Sequence, residues 1–430
     1  MNIVLIGNTY LPHVGGVARS VAAFREEYQR AGHEVLVVAP AFADQPAEEA
    51  GVVRIPALQN FNASDFSVAL PLPSGLMATL EDFAPDVIHS QHPFLLGMTA
   101  LRAARMLQRP LVFTHHTLYE EYTHYVPMDS PALKRFVVEL ATCYANLTDL
   151  VVAPSESIRH LLLERGVETP VEVIPTGVYV ERFARGNGAA LRREQGIPQE
   201  AFVVGHMGRL AWEKNVGFLT DAVIAFLREG QDRYFLLVGG GDAEAAIVQR
   251  FEEAGLSERL KHCGVLEGEA LADAMNAMNL FAFASKSETQ GMVLTEAMAS
   301  GLPVVALDAS GVREVVRDGV NGRLLRCESQ KDFGDALHWV YTLDRKGYAA
   351  LVSAARETAE AFSMRRSADR ALQCYESLRQ RDAAEFSDHE RFWDQIRHRI
   401  SAEVDILRSL ATAGDEALED LNRQKDDSTN

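Results

Sequence analysis

The sequence predicts an α/β protein made of two doubly wound, parallel-sheet domains. Three observations carry that prediction. Short β-branched runs alternate with segments of helical spacing, the pattern of a parallel sheet covered by helices on both faces. The pattern loosens near the middle of the chain and then restarts. At 430 residues the chain also exceeds what a single hydrophobic core usually serves.

The first forty residues read as one strand–helix–strand unit. Ile3 to Ile6 is a buried strand, Gly15 and Gly16 lie in the following loop, and Val17 to Arg30 has helical spacing. Gly32-His33 ends the helix, and Glu34 to Ala39 is the next strand. Further strands are predicted at Val52 to Ile55, Asp86 to His89, Leu111 to Thr114, Leu150 to Ala153 and Val171 to Ile174. Helices are expected at Gly97 to Leu107 and Ala132 to Asn146. Phe183 to Gly188 reads as a linker. The second set follows at Phe202 to Met207, Tyr234 to Val238, Leu260 to Cys263, Leu280 to Ala284, Pro303 to Leu307 and Gly322 to Leu325. Helical spacing then runs from Lys331 to the end, where Phe386, Trp393, Ile396, Ile400, Val404 and Leu407 form one apolar stripe. The last residues, Lys425 to Asn430, are expected to fray.

A formal charge of −18 weighs against nucleic acid as a partner, because phosphate neutralisation needs clustered Lys and Arg. Cys143, Cys263, Cys327 and Cys374 show no metal or redox spacing, which fits reduced thiols in a cytoplasmic protein. The first residues lack a signal-peptide pattern, and no run reaches the roughly 20 apolar residues that cross a bilayer.

In doubly wound sheets, ligands bind outside the carboxyl ends of the strands, so the informative motifs are those at strand-to-helix turns. The richest runs from Ser287 through Glu288, Gln290, Gly291 and Glu296 to Val305. Gly291 lets a ligand approach the backbone, and the amides after it are helix N-terminal donors suited to phosphate. Glu288 and Glu296 can each accept hydrogen bonds from a hydroxyl-bearing ring, and equally can favour the positive helix end. Gly208-Arg209-Leu210 with Lys214 offers two cations to phosphate. Gly239 to Asp242 follows another strand and serves either as a ligand cradle or as a tight turn. No P-loop sequence exists. In the first half, Thr114 to Tyr125 packs His115, His116, His124, Tyr119, Tyr122 and Tyr125 into one loop. A zinc reading lacks a second ligand cluster, and polar contact with a hydroxylated acceptor fits better.

Together these motifs resemble the retaining family-4 glycosyltransferases of the GT-B fold, from Met1 to about Gln380. The strongest element is Glu288-x7-Glu296, with Gly301-x-Pro303 after it and Gly15-Gly16, His116-Thr117, Pro175-Thr176-Gly177-Val178, Gly208-Arg209-Leu210 with Lys214, and Gly239 to Asp242 before it in order. The resemblance implies two Rossmann-like domains with a cleft between them. Residues 1–183 would bind the acceptor, 184–363 the nucleotide sugar, and 364–430 would form helices packing back on the first domain. It implies that Arg209 and Lys214 neutralise the donor diphosphate, that Glu288 faces the transferred sugar, and that Glu296 holds the ribose. Gly239, Gln290 and the backbone of Gly291, Met292 and Val293 complete the donor site, Val265 and Leu266 read the base, and Gly15 and Gly16 approach the diphosphate from the acceptor domain. His116, Glu288, Arg209 and Lys214 are the implied catalytic set. His116, Tyr119, Tyr122, His124 and Tyr125 are the implied acceptor contacts. No metal and no cofactor are required. Met275 to Asn279 stands where the family carries Tyr-x-x-Ala-Asp, so Asn279 replaces a supporting aspartate.

Ser287 to Val293 and His116 to Tyr125 resemble the bacterial diacylglycerol glucosyltransferase branch. That implies UDP-glucose as donor, a lipid acceptor such as diacylglycerol, an α-glycosidic product, and peripheral contact with the inner face of the cell membrane. No obvious carboxylate nucleophile stands out in the first domain, so a same-face mechanism is expected. Candidate membrane contacts are Phe66 to Phe83, which holds no Lys or Arg, and the helix from Pro131 with Lys134 and Arg135, beside Arg102, Arg105 and Arg109. Two rival readings stay open: a soluble sugar, polyol or polysaccharide acceptor, and a non-catalytic protein that binds sugar nucleotides and a partner.

Overall fold

The structure, a computed structural model, describes residues 1–385 except 14, 43–44, 47–48, 59–67, 70–74 and 121–129. The apolar stripe from Phe386 to Leu407, the acceptor candidates Tyr122, His124 and Tyr125, and part of Phe66 to Phe83 lie outside the described residues. The chain divides into two compact units, Met1–Pro175 with the described chain from Ser367, and Thr176–Arg366.

The first unit is built on a parallel sheet of β1 (Asn2–Ile6), β2 (Glu34–Pro40), β3 (Val52–Ile55), β6 (Val87–Ser90), β7 (Leu111–Thr114), β8 (Leu150–Ala153) and β9 (Val171–Val173). A two-stranded antiparallel piece, β4 (Ala57–Leu58) with β5 (Val68–Ala69), was not evident in the sequence. The sheet order is β3-β2-β1-β6-β7-β8-β9, so the winding reverses between β1 and β6. Strand residues Val4, Ile6, Val38, Ile88, Phe113 and Val151 contribute to one buried cluster, which explains why the strands read as continuous apolar runs.

The second unit has β10 (Phe202–Met207), β11 (Arg233–Val238), β12 (Leu260–His262), β13 (Leu280–Phe283), β14 (Val304–Leu307) and β15 (Gly322–Leu325), in the order β12-β11-β10-β13-β14-β15. All pairs are parallel, and the reversal falls between β10 and β13. Alternate residues feed the two faces: Val203 and Met207 join one core and Val204 the other. Both units are therefore Rossmann-like, the second with the six-strand order of the mononucleotide-binding pair.

The segment read as a linker is packed instead. Phe183 is buried, and a Cβ on Gly186 or Gly188 would collide with the backbone of helix Gly268–Asn276, 2.2 Å from the Ala272 carbonyl oxygen and 2.1 Å from that of Asn276. Glycine is needed there for close approach, and the loose composition hid a helix at Gly188–Glu194. The helix Met364–Glu385 ends the described chain and carries Tyr375, fully buried against Tyr28 of the first unit.

Asn279, the substitute for the family's aspartate, supports the second sheet. Its Oδ1 accepts from the Val203 amide at 2.9 Å and from Arg192 Nη2 at 2.7 Å. Buried Arg192 donates further to the carbonyls of Ala277, Gln199 and Ala201. Replacing Asn279 by Leu leaves one amide and one guanidinium arm unpaired, each costing on the order of 1–3 kcal/mol. Urea unfolding is expected to lose about 3 kcal/mol in Asn279→Leu and nothing in Asn279→Asp, which keeps both accepting contacts. Equal loss in both variants would mean that the acceptor oxygen is not what holds these elements.

Candidate active site

In the second unit the ladder between β10 and β13 ends at Gly205↔Phe281, where the winding reverses. Just beyond it, buried His206 closes the divide: its Nδ1 lies 3.0 Å from the Ala282 carbonyl, to which it donates. The loops after β10 and β11 are stacked backbone on backbone. A Cβ on Gly239 (φ +131°) would fall 1.9 Å from the Gly208 carbonyl oxygen, so glycine is required there by loop packing alone. Leu210 donates to the Gly240 carbonyl at 2.9 Å, and Gly239 to that of Gly264 at 2.8 Å.

This frame presents the charges. Lys214 ends a short 3-10 helix, Trp212–Lys214, and its Nζ lies 2.8 Å from Glu288 Oε1. The same oxygen accepts from Ser285 Oγ at 2.8 Å. Both ion-pair side chains retain 18% exposure, so the pair is neither dry nor freely solvated. Ser287 Oγ donates to the Glu213 carbonyl at 3.2 Å, tying the two loops together. Arg209 pairs with Glu213 on the more exposed rim.

Gly291 (φ +72°) takes the left-handed turn that starts helix Met292–Ala299. That helix has no side-chain N-cap and no acidic residue in its first turn, so Met292 and Val293 meet whatever lies beyond it with the positive helix end. Glu296 is buried one turn further in. Gln290 is structural: its Oε1 accepts from the Thr176 amide at 2.7 Å, and its Nε2 donates to the Thr176 carbonyl. Val265 is 66% exposed, whereas Leu266 packs on the core. Arg209, Lys214, Glu288 and Gly291 therefore stand on loops of one unit and Glu296 on the helix that Gly291 starts, with Gly239 acting as a spacer.

The first unit has its own cluster at its own reversal. Asn8, after β1, donates from Nδ2 to the Phe94 carbonyl and accepts from the Leu96 amide, both at 3.1 Å. The Asn8 amide donates to His92 Nδ1 at 3.1 Å. His116, just past β7, lies 2.8 Å from Gln91 Oε1 through its Nε2. Gln91 uses its amide nitrogen on the His89 carbonyl at 3.5 Å, so its oxygen is the acceptor and His116 carries its proton on Nε2. Tyr119 packs edge-on against Phe94 and His115, with ring centroids 5.0 and 5.4 Å apart. Gly16 opens helix Gly16–Arg30, and a Cβ there would meet nothing within 4 Å, so its backbone is accessible; Gly15 lies beside the His13 ring.

The imidazoles of this cluster are held neutral. Burial lowers the pKa of His89 to about 3, of His92 to about 4 and of His115 to about 3, the last with help from Arg165. Burial, then the neighbouring His92, His89 and His115, lower that of His116 well below the ordinary value. Among the described residues no three His, Cys, Asp or Glu form a group able to hold a metal. Ser285, Asn8, Gln91, His92 and His206 were missed in the sequence. The polar run Ser90-Gln91-His92 directly after an apolar strand was the available signal.

Residues 14–182 match the sequence profile described as Glycosyltransferase Family 4, and residues 188–358 that described as Glycosyl transferases group 1. An alpha-monoglucosyldiacylglycerol synthase of Streptococcus pneumoniae is 29% identical over 330 residues, 75% of each chain. A GDP-mannose-dependent alpha-mannosyltransferase of Mycobacterium tuberculosis is 32% identical over 362 residues, 81% of this chain and 91% of that one. The crystal structure of Anabaena HepE in complex with UDP superposes with a TM-score of 0.67 at 24% identity, covering 88% of this chain and 100% of the other, and so shares the fold.

The neutral imidazoles make stability depend on pH. His206, in the second unit, is lowered to about 4 by burial, against the raising effect of the Ala282 bond and Glu288. Each folded-state pKa lies below the unfolded value near 6.5, so below that pH the unfolded chain binds protons that the folded chain refuses. The stabilisation is present above pH 6.5 and lost as pH falls toward 4, at up to about 1.4 kcal/mol per pH unit per imidazole. His89, His92, His115 and His116 all lie in the first unit. Urea titrations read by pulse proteolysis are expected to show that unit losing more stability than the second between about pH 7 and about pH 5. A parallel loss in both would sink the account.

Proposed function

The chain belongs to the family-4 glycosyltransferases, and from that premise we propose that it moves glucose from UDP-glucose to diacylglycerol, forming an α-bond with retention. The observation that carries the donor half is the Lys214–Glu288 pair with Ser285, beside the uncapped helix at Gly291. In this reading Lys214 and Arg209 neutralise the diphosphate as it departs, and the amides of Gly291, Met292 and Val293 cap it. Glu288 turns its carboxylate to the hydroxyls of the sugar, Glu296 to those of the ribose, and Val265 lies under the base, with Gly15 and Gly16 keeping their backbone open for phosphate. Gln290 fixes the loop through Thr176. The second unit is thus the donor unit and the first the acceptor unit.

His116 holds the acceptor hydroxyl. Its proton sits on Nε2, toward Gln91, which leaves Nδ1 as the nitrogen with the lone pair. An imidazole whose pKa is held this low is a weak base, so it orients the hydroxyl without removing the proton. That supports a same-face route in which the leaving phosphate receives it. Tyr119 lines the same region, and we extend the acceptor role to Tyr122, His124 and Tyr125.

The lipid acceptor rests on the printed activity of the S. pneumoniae relative and on exposed Lys134 and Arg135 of helix Pro131–Ala145, which suit an anionic surface. Among the described residues no helix is long and apolar enough to cross a membrane, so contact would be peripheral, at the inner face of the cell membrane. Helix Leu76–Phe83, with Glu81 and Asp82 and no basic residue, favours a second reading with a soluble sugar, polyol or polysaccharide acceptor. The M. tuberculosis relative makes GDP-mannose the donor to compare.

Transfer from radiolabelled UDP-glucose to diacylglycerol in mixed micelles tests the proposal. Label is expected in the organic phase, as an α-glucoside. Label carried only by water-soluble product would select the second reading, and transfer from GDP-mannose alone would replace the donor. Lys214→Ala is expected to weaken UDP binding by about 10–150-fold, the equivalent of one lost charged hydrogen bond of about 1.5–3 kcal/mol. His116→Ala should keep that affinity and lose most turnover. Unchanged UDP affinity in Lys214→Ala would remove the lysine from the donor site.

A further inference from the structure

A buried chain of hydrogen bonds runs from the first helix of the protein to the strand end that carries His116. Tyr28 on helix Gly16–Arg30 meets Tyr375 on helix Met364–Glu385, hydroxyl to hydroxyl, at 3.0 Å. The Tyr375 hydroxyl lies 2.6 Å from His89 Nδ1, and His89 Nε2 lies 2.6 Å from Thr114 Oγ1. Both tyrosines are fully buried, and His89 and Thr114 are each 6% exposed. The Tyr375 ring stands edge-on to both Tyr28 and His89, with centroids 5.7 Å away in each case.

The far end of this chain is the region argued above to hold the acceptor. The ladder between β6 and β7 stops at Ser90↔Phe113. His89, paired with Val112 inside the ladder, reaches forward by its side chain to Thr114, one residue past the last residue of β7 that pairs with β6. Thr114 is two residues before His116. On the other strand, His89 is two residues before Gln91, whose amide reaches back to the His89 carbonyl and whose oxygen binds His116. His89 therefore holds, through its ring, the strand end that leads to His116 and, through its backbone carbonyl, the Gln91 side chain that binds it. Its ring in turn is fixed by Tyr375.

We infer that Tyr375 is a positioning residue for the acceptor hydroxyl: through His89 it sets Thr114 and Gln91, and so the place and tautomer of His116. Burial pushes the Tyr375 phenol well above its ordinary pKa, so it stays protonated at any working pH. His89 is neutral and can donate at one nitrogen only, so either direction of proton order along the chain leaves each bond satisfied. Removing the Tyr375 hydroxyl leaves a buried imidazole nitrogen unpaired and releases the ring. Removing the Tyr28 hydroxyl shortens the same chain by one bond but leaves His89 held.

The inference rests on the reading of His116 given above, and the pair of tyrosines separates the two. Both Tyr375→Phe and Tyr28→Phe should lower the melting temperature. Only Tyr375→Phe should lower kcat for transfer, by roughly tenfold or more, as misplacing a positioned group does, while KM for UDP-glucose stays within about twofold. Long-range nitrogen–proton NMR of the imidazoles gives a readout that needs no acceptor: the His89 and His116 signals should move in Tyr375→Phe and hold in Tyr28→Phe. Thr114→Val breaks the chain at its other end and should reproduce the Tyr375→Phe pattern, even if the latter folds poorly. Equal kinetics and unmoved His116 signals in all three variants would reduce the chain to a structural one and overturn the inference. If the wild type transfers nothing to hydroxyl acceptors while the NMR pattern appears as expected, the proposed function falls and the positioning of His116 stands.

Discussion

Everything chemical in this protein depends on where the winding of each parallel sheet reverses. Strands covered on both faces must be apolar along their length, and their backbone groups are committed to the ladder. Only at the carboxyl ends, where neighbouring strands lead their helices to opposite sides, does the backbone separate enough for polar side chains to enter. The two units answer this constraint in different ways. Between β10 and β13 the pairing ends early, at Gly205↔Phe281, and the ring of His206 takes the place of a ladder bond. Between β1 and β6 the ladder holds through Ile6↔Ser90, and the side chains of Asn8 and His92 then join the two loops.

The two clusters also differ in electrostatics. The second unit gathers charge: Lys214 against Glu288, Arg209 against Glu213, and the positive end of a helix without a cap. Partial exposure keeps such pairs from carrying the full desolvation cost of a buried ion pair, so an incoming anion can exchange with the carboxylate. The first unit gathers titratable groups and holds them neutral, with imidazoles at pKa about 3 and about 4 enclosed among tyrosines and hydroxyls. One cluster suits an anionic ligand and the other a neutral hydroxyl.

The sheet strands and their succession were legible because a strand buried on both faces leaves a short, β-branched apolar run bounded by turn residues. Charge and glycine at a strand end are common singly, and it was their succession with the other strand-end motifs that singled out Lys214, Glu288 and Gly291, the first two of which the structure brings together. What escaped depends on distance in the chain. His89 looked like the end of an apolar strand, and Tyr375, 286 positions later, like one more residue of an amphipathic helix. Gln290 read as a ligand contact together with its neighbours, yet its amide is closed on Thr176. Gly186 and Gly188 read as a linker because glycine marks both flexibility and close packing, and sequence does not tell these apart.

The low basicity of the first cluster bears on the chemistry. Under the proposed function, a hydroxyl must lose its proton as the bond to the sugar forms. A strong base beside it would take that proton early and leave an alkoxide that needs its own stabilisation. A neutral imidazole fixed by Gln91 does less: it fixes the direction of the hydroxyl and leaves the proton until a better acceptor appears. The departing diphosphate becomes that acceptor only as its own bond breaks, with Lys214 and the helix end limiting how basic it grows. Proton removal is then tied to departure of the leaving group, and the proton leaves on the face from which the diphosphate departs. Retention follows from that coupling without a carboxylate nucleophile, and it requires that His116 be held still, which is the purpose the bonds from Tyr375 through His89 to Thr114 serve.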